Sequence, residues 1–121
     1  MEVKIKTGGA VVMSEELSAF IAHKTEKIAV FLKQDSSALC EIDVGTTSAG
    51  QRTGDVYRAE FHVTFAGGDA YAEATEATLH KAIDRAAGEV RREIRKRKGK
   101  ERDLVRQGAA EVKRFFRTFG K

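Results

Sequence analysis

The chain has 121 residues, 41% of them hydrophobic, which suffices for one modest core and a short extension but not for a second domain of ordinary size. Its apolar stretches are short and interrupted by charges, and its N-terminus lacks a basic head followed by an apolar run. We therefore expect neither a transmembrane helix nor a secretion signal, and no membrane partner. The single cysteine, Cys40, excludes an internal disulfide, so we predict a cytoplasmic location.

The net charge of +4 is unevenly distributed along the chain. Residues 1–84 contain 8 Lys/Arg and 13 Asp/Glu, whereas residues 85–121 contain 14 Lys/Arg and 5 Asp/Glu. The first part is therefore negatively charged and the last third strongly positive. This asymmetry predicts that a polyanion would meet the molecule through its C-terminal third.

The first two predicted elements are a short strand and a helix. Val3 and Ile5 alternate with lysines, a period of two that indicates a strand. Ser14 is a suitable N-cap, and two glutamates follow it where the helix dipole favours negative charge. Apolar residues then recur at spacings of three, four and seven, which predicts a helix over about residues 14–32: Leu17, Phe20, Ile21, Ile28, Phe31 and Leu32.

Three strands are predicted in the middle of the chain. Residues 40–44 alternate apolar with acidic side chains, and a polar, glycine-bearing loop follows over residues 46–54. Residues 57–65 alternate most clearly, as in a sheet that is covered on one face only. Gly67-Gly68-Asp69 predicts a tight turn, after which alanines at every second position of residues 70–74 predict a strand of small residues.

A second helix is predicted to begin near Thr75 or Thr78, with Gly99 interrupting its pattern. The resulting β-α-β-β-β-α order predicts an α+β fold, a two-layer sandwich in which both helices lie on one face of a four-stranded sheet. We predict a domain over residues 1–98 and a basic amphipathic tail over residues 99–121. The apolar stripe of the second helix has spacings of three or four: Leu79, Ile83, Ala86, Val90 and Ile94.

The strongest local signal is the run from Arg91 to Lys100, in which seven of ten residues are basic and one is acidic. Such a run suits a phosphate backbone, because each neutralised phosphate releases a counterion. A merely solvated helix face is the alternative, and the charge asymmetry favours binding. Because no predicted strand or loop shows the aromatic pairs typical of single-strand stacking, backbone and shape recognition is favoured over base reading. On a helix, four of the basic residues lie near one line: Arg85, Arg92, Arg95 and Lys96.

Nothing in the sequence predicts an enzyme. The three histidines, His23, His62 and His80, lie on separate elements without metal-ligand spacing, so we predict no metal site and no cofactor. Cys40 alternates with apolar residues, as a buried structural thiol would. Gly8-Gly9 lacks the lysine and hydroxyl residue that follow in a phosphate-binding loop. We expect no catalytic residue and no small-molecule substrate.

The second helix contains Ala82-Ile83-Asp84, followed by residues 90–98 with their basic end. This pattern resembles the ribosome hibernation promoting factor family, also called ribosome-associated translation inhibitors, whose second helix has an Ala-Ile-Asp/Asn start, a Leu-Glu-Arg-Gln-Leu stretch and a basic end. The resemblance covers roughly residues 1–100, and the family's fold has the same element order and is similar to double-stranded RNA-binding domains. The first helix matches through Ser14, Phe20, Ile21, Lys24, Lys27 and Phe31.

The resemblance implies a partner and a set of contacts. Family members bind the small ribosomal subunit and its rRNA over the decoding region, and they inhibit translation in idle ribosomes. The line of basic residues on the second helix, not the family's motif, adds Arg85 and Arg95 to the set of contacts. The chain resembles a short form without the dimerisation domain of long forms, and a weak homodimer through an uncovered sheet face is left open. Carried over by position, the contacts are Lys24, Lys27, Arg92, Lys96 and Lys98.

Some residues depart from the family's pattern and leave two other functions open. Glu89 and Glu93 place negative charge among the basic residues of the second helix. His80 stands where the family usually has a tyrosine. One alternative is a general double-stranded RNA-binding protein. The other is a protein or membrane interaction module that uses the phenylalanines among the arginines of residues 114–119, unless these rings pack on the domain's own apolar surface.

Overall fold

The computed structural model describes residues 1–47 and 56–106, with the backbone alone for residues 100–106. Most of the predicted loop at residues 46–54 and the tail beyond residue 106 lie outside the described residues. Within them no helix is both long enough and apolar enough to span a bilayer. The elements are β1 (Glu2–Thr7), α1 (Glu15–Ala29), a 3-10 turn (Val30–Leu32), β2 (Leu39–Thr46), β3 (Tyr57–Phe65), β4 (Gly68–Glu76) and α2 (Leu79–Arg106).

The four strands form one mixed sheet in the order β1-β2-β3-β4. β1 runs parallel to β2, and the other two pairs are antiparallel. In this register Ile5 lies beside Ile42, Ile42 beside Phe61, and Phe61 beside Ala72, so one face of the sheet carries the apolar side chains. The predicted α+β sandwich, including the parallel crossover through the first helix, is confirmed.

The core lies between this apolar face and both helices. Phe61 on β3 and Val44 on β2 are fully buried, as are Ile21 on α1 and Ile83 on α2. The Cys40 side chain is also fully buried, and burial raises the pKa of its thiol to about 12. Cys40 is therefore a core residue, because a thiol with so high a pKa supplies almost no thiolate at neutral pH.

The ends of the helices follow from local chemistry. The Ser14 hydroxyl accepts a hydrogen bond from the Leu17 amide at 3.1 Å, which confirms the predicted N-cap of α1. Thr78, not Thr75, precedes α2, and its hydroxyl accepts from the Lys81 amide at 3.2 Å. Thr75 belongs to β4, where it pairs with Arg58.

Two glycine-based predictions were wrong. The helix continues through Gly99 to Arg106, because a glycine weakens a helix by only about 1 kcal/mol relative to alanine and does not block its backbone conformation. The β3–β4 connection is one residue earlier than predicted, because Phe65 pairs with Gly68 and leaves Ala66 and Gly67 as the loop. Gly68 has φ of +137°, which a residue with a Cβ rarely adopts. The division into a domain and a tail at residue 98 stays a prediction.

Candidate nucleic-acid interface

A row of exposed basic side chains follows the solvent side of α2. Arg92, Arg95 and Lys96 are exposed, and they line one shallow surface together with Glu89 and Glu93. None of the three basic side chains forms an ion pair with another residue that the structure describes. We call Arg92, Arg95 and Lys96 the α2 ridge. Its charges face solvent, as contacts to a phosphate backbone require.

A narrow cleft lies between the two helices, beside the ridge. Lys24 and Lys27 line it from α1, and Asp84 and Arg91 line it from α2. The small residues of α2 at this position, Ala87 and Gly88, also line it, so little side-chain bulk separates the charged groups. We call Lys24, Lys27, Asp84 and Arg91 the basic cleft. With three cations and one anion, the basic cleft has a positive net charge.

Asp84 neutralises one of the predicted contacts in the cleft. The Lys24 ammonium lies 2.5 Å from the Asp84 carboxylate, and the Lys24 side chain is 16% exposed whereas that of Asp84 is 65% exposed. The hydrogen bond from Lys24 lowers the pKa of Asp84, and the charges of Lys24, Lys27 and Arg91 lower it further. Asp84 is therefore ionised at neutral pH. A phosphate would have to compete with the Asp84 carboxylate for the Lys24 ammonium.

Arg85, another of the predicted contacts, pairs with two acidic residues. Its guanidinium donates to Glu76 at 2.9 Å and to Glu89 at 3.4 Å, and these hydrogen bonds raise the pKa of Arg85. Glu76 is the last residue of β4 and Glu89 lies one turn after Arg85 on α2, and neither lines the basic cleft. The Arg85 charge is thus compensated within the protein, although the residue lies on the exposed side of the helix.

Lys98 lies at the other end of the described basic run, close to the sheet. It is half-buried, and its Nζ atom lies 5.9 Å from the centre of the Phe65 ring. The neighbouring Arg97 pairs with Glu93 at 3.7 Å. The seven predicted contacts therefore fall into two groups: Lys27, Arg92, Arg95 and Lys96 are free of ion pairs among the described residues, while Lys24, Arg85 and Lys98 interact with the protein itself.

Arg91 is a candidate contact that the sequence analysis did not select. It belongs to the basic run, but its position in the cleft follows from its spacing of seven residues from Asp84. Two helical turns place both residues on the side of α2 that faces α1. The same spacing of seven residues would have predicted Arg91 as a contact if Asp84 had been expected to face the first helix.

The uncovered face of the sheet has the opposite character. Its side chains include four acids that take part in local pairs: Glu41, Glu60, Asp69 and Glu73. The Tyr71 hydroxyl donates to Glu60 and also hydrogen-bonds Glu73 at 2.9 Å, and the bond to Glu60 raises the pKa of Tyr71. His62 pairs with Asp69 at 2.9 Å. Among the described residues, the uncovered face thus carries paired charges together with the two exposed lysines of β1, Lys4 and Lys6, whereas the basic cleft and the α2 ridge lie on the helices.

Metal-binding clusters are not found among the described residues, where no three His, Cys, Asp or Glu side chains converge. The described residues of α1 and α2 carry exposed cations, and such an arrangement can hold a polyanion.

Residues 5–102 match the model of the family described as sigma 54 modulation protein / S30EA ribosomal protein. The chain belongs to this family. The match spans α1, α2 up to residue 102, and the whole sheet apart from the first residues of β1. The family resemblance that the sequence motifs indicated is therefore confirmed.

Two solved structures share the fold. The crystal structure of the N-terminal domain of Protein Y from Thermus thermophilus matches with a TM-score of 0.66 at 18% identity, covering 79% of this chain and 98% of that one. A ribosomal subunit interface protein from Coxiella burnetii matches with a TM-score of 0.67 at 16% identity, covering 82% and 99%. A sequence comparison with curated proteins gave no match.

Proposed function

We propose that this protein is a ribosome-associated hibernation factor that binds the decoding region of the small ribosomal subunit and inhibits translation in idle ribosomes. The observation that carries the proposal is the α2 ridge, whose three exposed cations have no ion-pair partner among the described residues. Family membership and the similarity to a protein described as a ribosomal subunit interface protein support the choice of partner.

The basic cleft and the α2 ridge form the contact surface in this proposal. They present cations from two helices to one side of the molecule. Such an arrangement suits recognition of the backbone and shape of folded rRNA better than the reading of single bases. The protein acts by occupying the site, without catalysis, cofactor or small-molecule substrate. Its location is the cytoplasm, on the ribosome.

Binding to ribosomes is expected to be strongly salt-dependent. The basic cleft and the α2 ridge contain six cations: Lys24, Lys27, Arg91, Arg92, Arg95 and Lys96. If they neutralise about six phosphates, the slope of log affinity against log salt is about −5, at roughly −0.9 per contact. Sedimentation with purified small subunits at increasing salt measures this slope. Protein that stays in the supernatant at low salt would contradict the proposal.

Replacing Asp84 by asparagine is expected to raise the affinity for small subunits by about threefold. The substitution removes one negative charge from the basic cleft and frees Lys24 from an ion pair, and solvent screening limits the gain. The unfolding free energy should fall by less than about 1 kcal/mol, because the Asp84 side chain is 65% exposed and solvent screens its pair with Lys24. Filter binding measures the affinity; a loss of affinity would instead assign Asp84 the role of orienting Lys24 for RNA.

Comparing binding to a synthetic RNA duplex with binding to small subunits separates the proposal from general double-stranded RNA binding. A gel-shift experiment measures affinity for a synthetic duplex and for small subunits at the same salt concentration. The proposal requires clear preference for the subunit, because its folded rRNA contacts both helices at once. Equal affinity for both would make the protein a general duplex binder. Loss of all binding on deletion of residues 101–121 would instead favour a tail-dependent interaction module.

A further inference from the structure

The first strand forms one edge of the sheet and is exposed along its whole length. β1 pairs with β2 on one side, and no other strand of the described residues lies on its outer side. All six residues of β1 are exposed. An exposed edge strand offers unpaired backbone groups to another strand, so β1 is a candidate for pairing between molecules.

The backbone groups that point outward on β1 can be identified. The Glu2 amide donates to the Ala38 carbonyl at 3.0 Å, and the Gly8 amide donates to the Val44 carbonyl at 2.9 Å. In a parallel ladder alternate residues face the partner, so the even-numbered residues face β2. The amide and carbonyl groups of Val3 and Ile5 therefore point away from the sheet. They are the groups that a further strand would meet.

The side chains of β1 divide between the two faces of the sheet. Val3 and Ile5 lie on the helical face, with 38% and 39% of their surfaces exposed, because the helices do not cover this margin. Glu2, Lys4 and Lys6 lie on the other face. Neither Glu2 nor Lys6 forms an ion pair with another residue in the described part of the chain. Apolar surface and unpaired opposite charges thus lie on the same free edge.

We propose that β1 pairs antiparallel with β1 of a second copy of this chain, centred on Lys4. In this register Val3 lies opposite Ile5 of the second copy, so that the outward amides and carbonyls bond each other and the exposed apolar side chains come together. Glu2 then lies opposite Lys6, twice by symmetry. The two sheets join into one continuous sheet of eight strands. The proposal does not depend on RNA binding.

The other registers fit less well. Moving the pairing by two residues in one direction places Lys4 opposite Lys6, which sets like charges against each other. Moving it in the other direction leaves Lys6 without a partner. With a shift by one residue, Val3 and Ile5 of one copy would lie on the opposite face of the joined sheet from Val3 and Ile5 of the other copy. In the favoured register the two Lys4 residues face each other, and each has Glu41 beside it on β2 to offset the repulsion.

Two charge reversals test the pairing. Glu2→Lys and Lys6→Glu each place like charges opposite each other in a homodimer, and each should weaken the dimer by about tenfold. An equimolar mixture of the two variants restores opposite charges at both positions and should form heterodimers about as tightly as the wild type. Sedimentation velocity from micromolar to millimolar concentration measures all three. Ribosome binding should be unchanged, since both residues lie outside the basic cleft and the α2 ridge.

Glu26→Lys and Lys33→Glu are the matched controls, because both residues are exposed and lie outside β1, Glu26 on α1 and Lys33 directly after the 3-10 turn. These variants should dimerise like the wild type, separately and mixed. A wild type that stays monomeric at millimolar concentration, or a mixture no stronger than its components, would overturn the proposal. A dimer that appears only after deletion of residues 107–121 would also overturn it, since the intact chain would then cover its own edge.

Discussion

Replacing Arg92 and Lys96 together by glutamate is expected to lower the affinity for small ribosomal subunits by about a hundredfold at moderate salt. Each reversal changes the charge on the α2 ridge by two units, and a unit charge at contact distance is worth about 1 kcal/mol in water before screening. After screening, the four units together amount to about 3 kcal/mol, which corresponds to about a hundredfold in the dissociation constant. Sedimentation or filter binding measures the loss.

The fold should survive this double substitution. Both side chains are exposed and have no ion-pair partner among the described residues, so their reversal breaks no internal ion pair. The two substituted positions lie one turn apart, Glu89 lies one turn before position 92 and Glu93 one turn before position 96, and such like-charge pairs cost about 0.2 to 0.5 kcal/mol each. Urea unfolding should therefore show a loss of about 1 kcal/mol, too small to explain the change in affinity.

A double reversal on the other side of the protein is the matched control. Lys4→Glu together with Lys6→Glu makes the same change in net charge, but both residues are exposed on the uncovered side of the sheet. At nanomolar protein concentration this variant should bind small subunits within about threefold of the wild type, since only long-range attraction is reduced. Equal losses in both variants would mean that net charge alone drives binding, and no loss in either would remove the α2 ridge as the contact surface.

The fold could be predicted from local patterns because those patterns match the physical periods of its elements. The alternation of residues 57–65 is that of a strand buried on one face, and β3 has that burial pattern over Tyr57–Phe65. Ser14 followed by glutamates fixed the beginning of α1 for the same local reason. The errors arose at Gly99 and at the β3–β4 loop, where glycine permits several conformations and the surrounding structure selects one.

The candidate site could be predicted only in part, because its charges are compensated by residues that are distant in the sequence. Lys24 pairs with Asp84, which is 60 positions away, and no spacing along the chain predicts this contact. Arg85 reaches back to Glu76 on a strand, so helical periodicity alone could not show that it is paired. Helical spacing correctly placed Arg92, Arg95 and Lys96 on the exposed side of α2, because that spacing is local.

Ile94→Ala is expected to destabilise the protein by about 2 to 4 kcal/mol, because a fully buried isoleucine leaves a cavity when it is truncated. This is a large fraction of the stability of an ordinary small domain, about 5 to 15 kcal/mol. Ile94 is the buried side chain between Arg92 and Lys96, so it anchors the segment of α2 that carries the ridge. Urea unfolding followed by circular dichroism measures the effect.

The neighbouring residue provides the control and separates folding from binding. Arg95→Ala should change the unfolding free energy by no more than about 0.5 kcal/mol, since its side chain is exposed. It should nevertheless lower the affinity for small subunits and reduce the salt slope by about one contact, roughly 0.9. Ile94→Ala, measured where it is still folded, should keep the wild-type slope because all six cations remain. If the salt dependence of affinity of Arg95→Ala equals that of the wild type, Arg95 is not part of the interface. If the salt slope falls equally in both variants, the α2 ridge binds only when α2 is fully packed against the core.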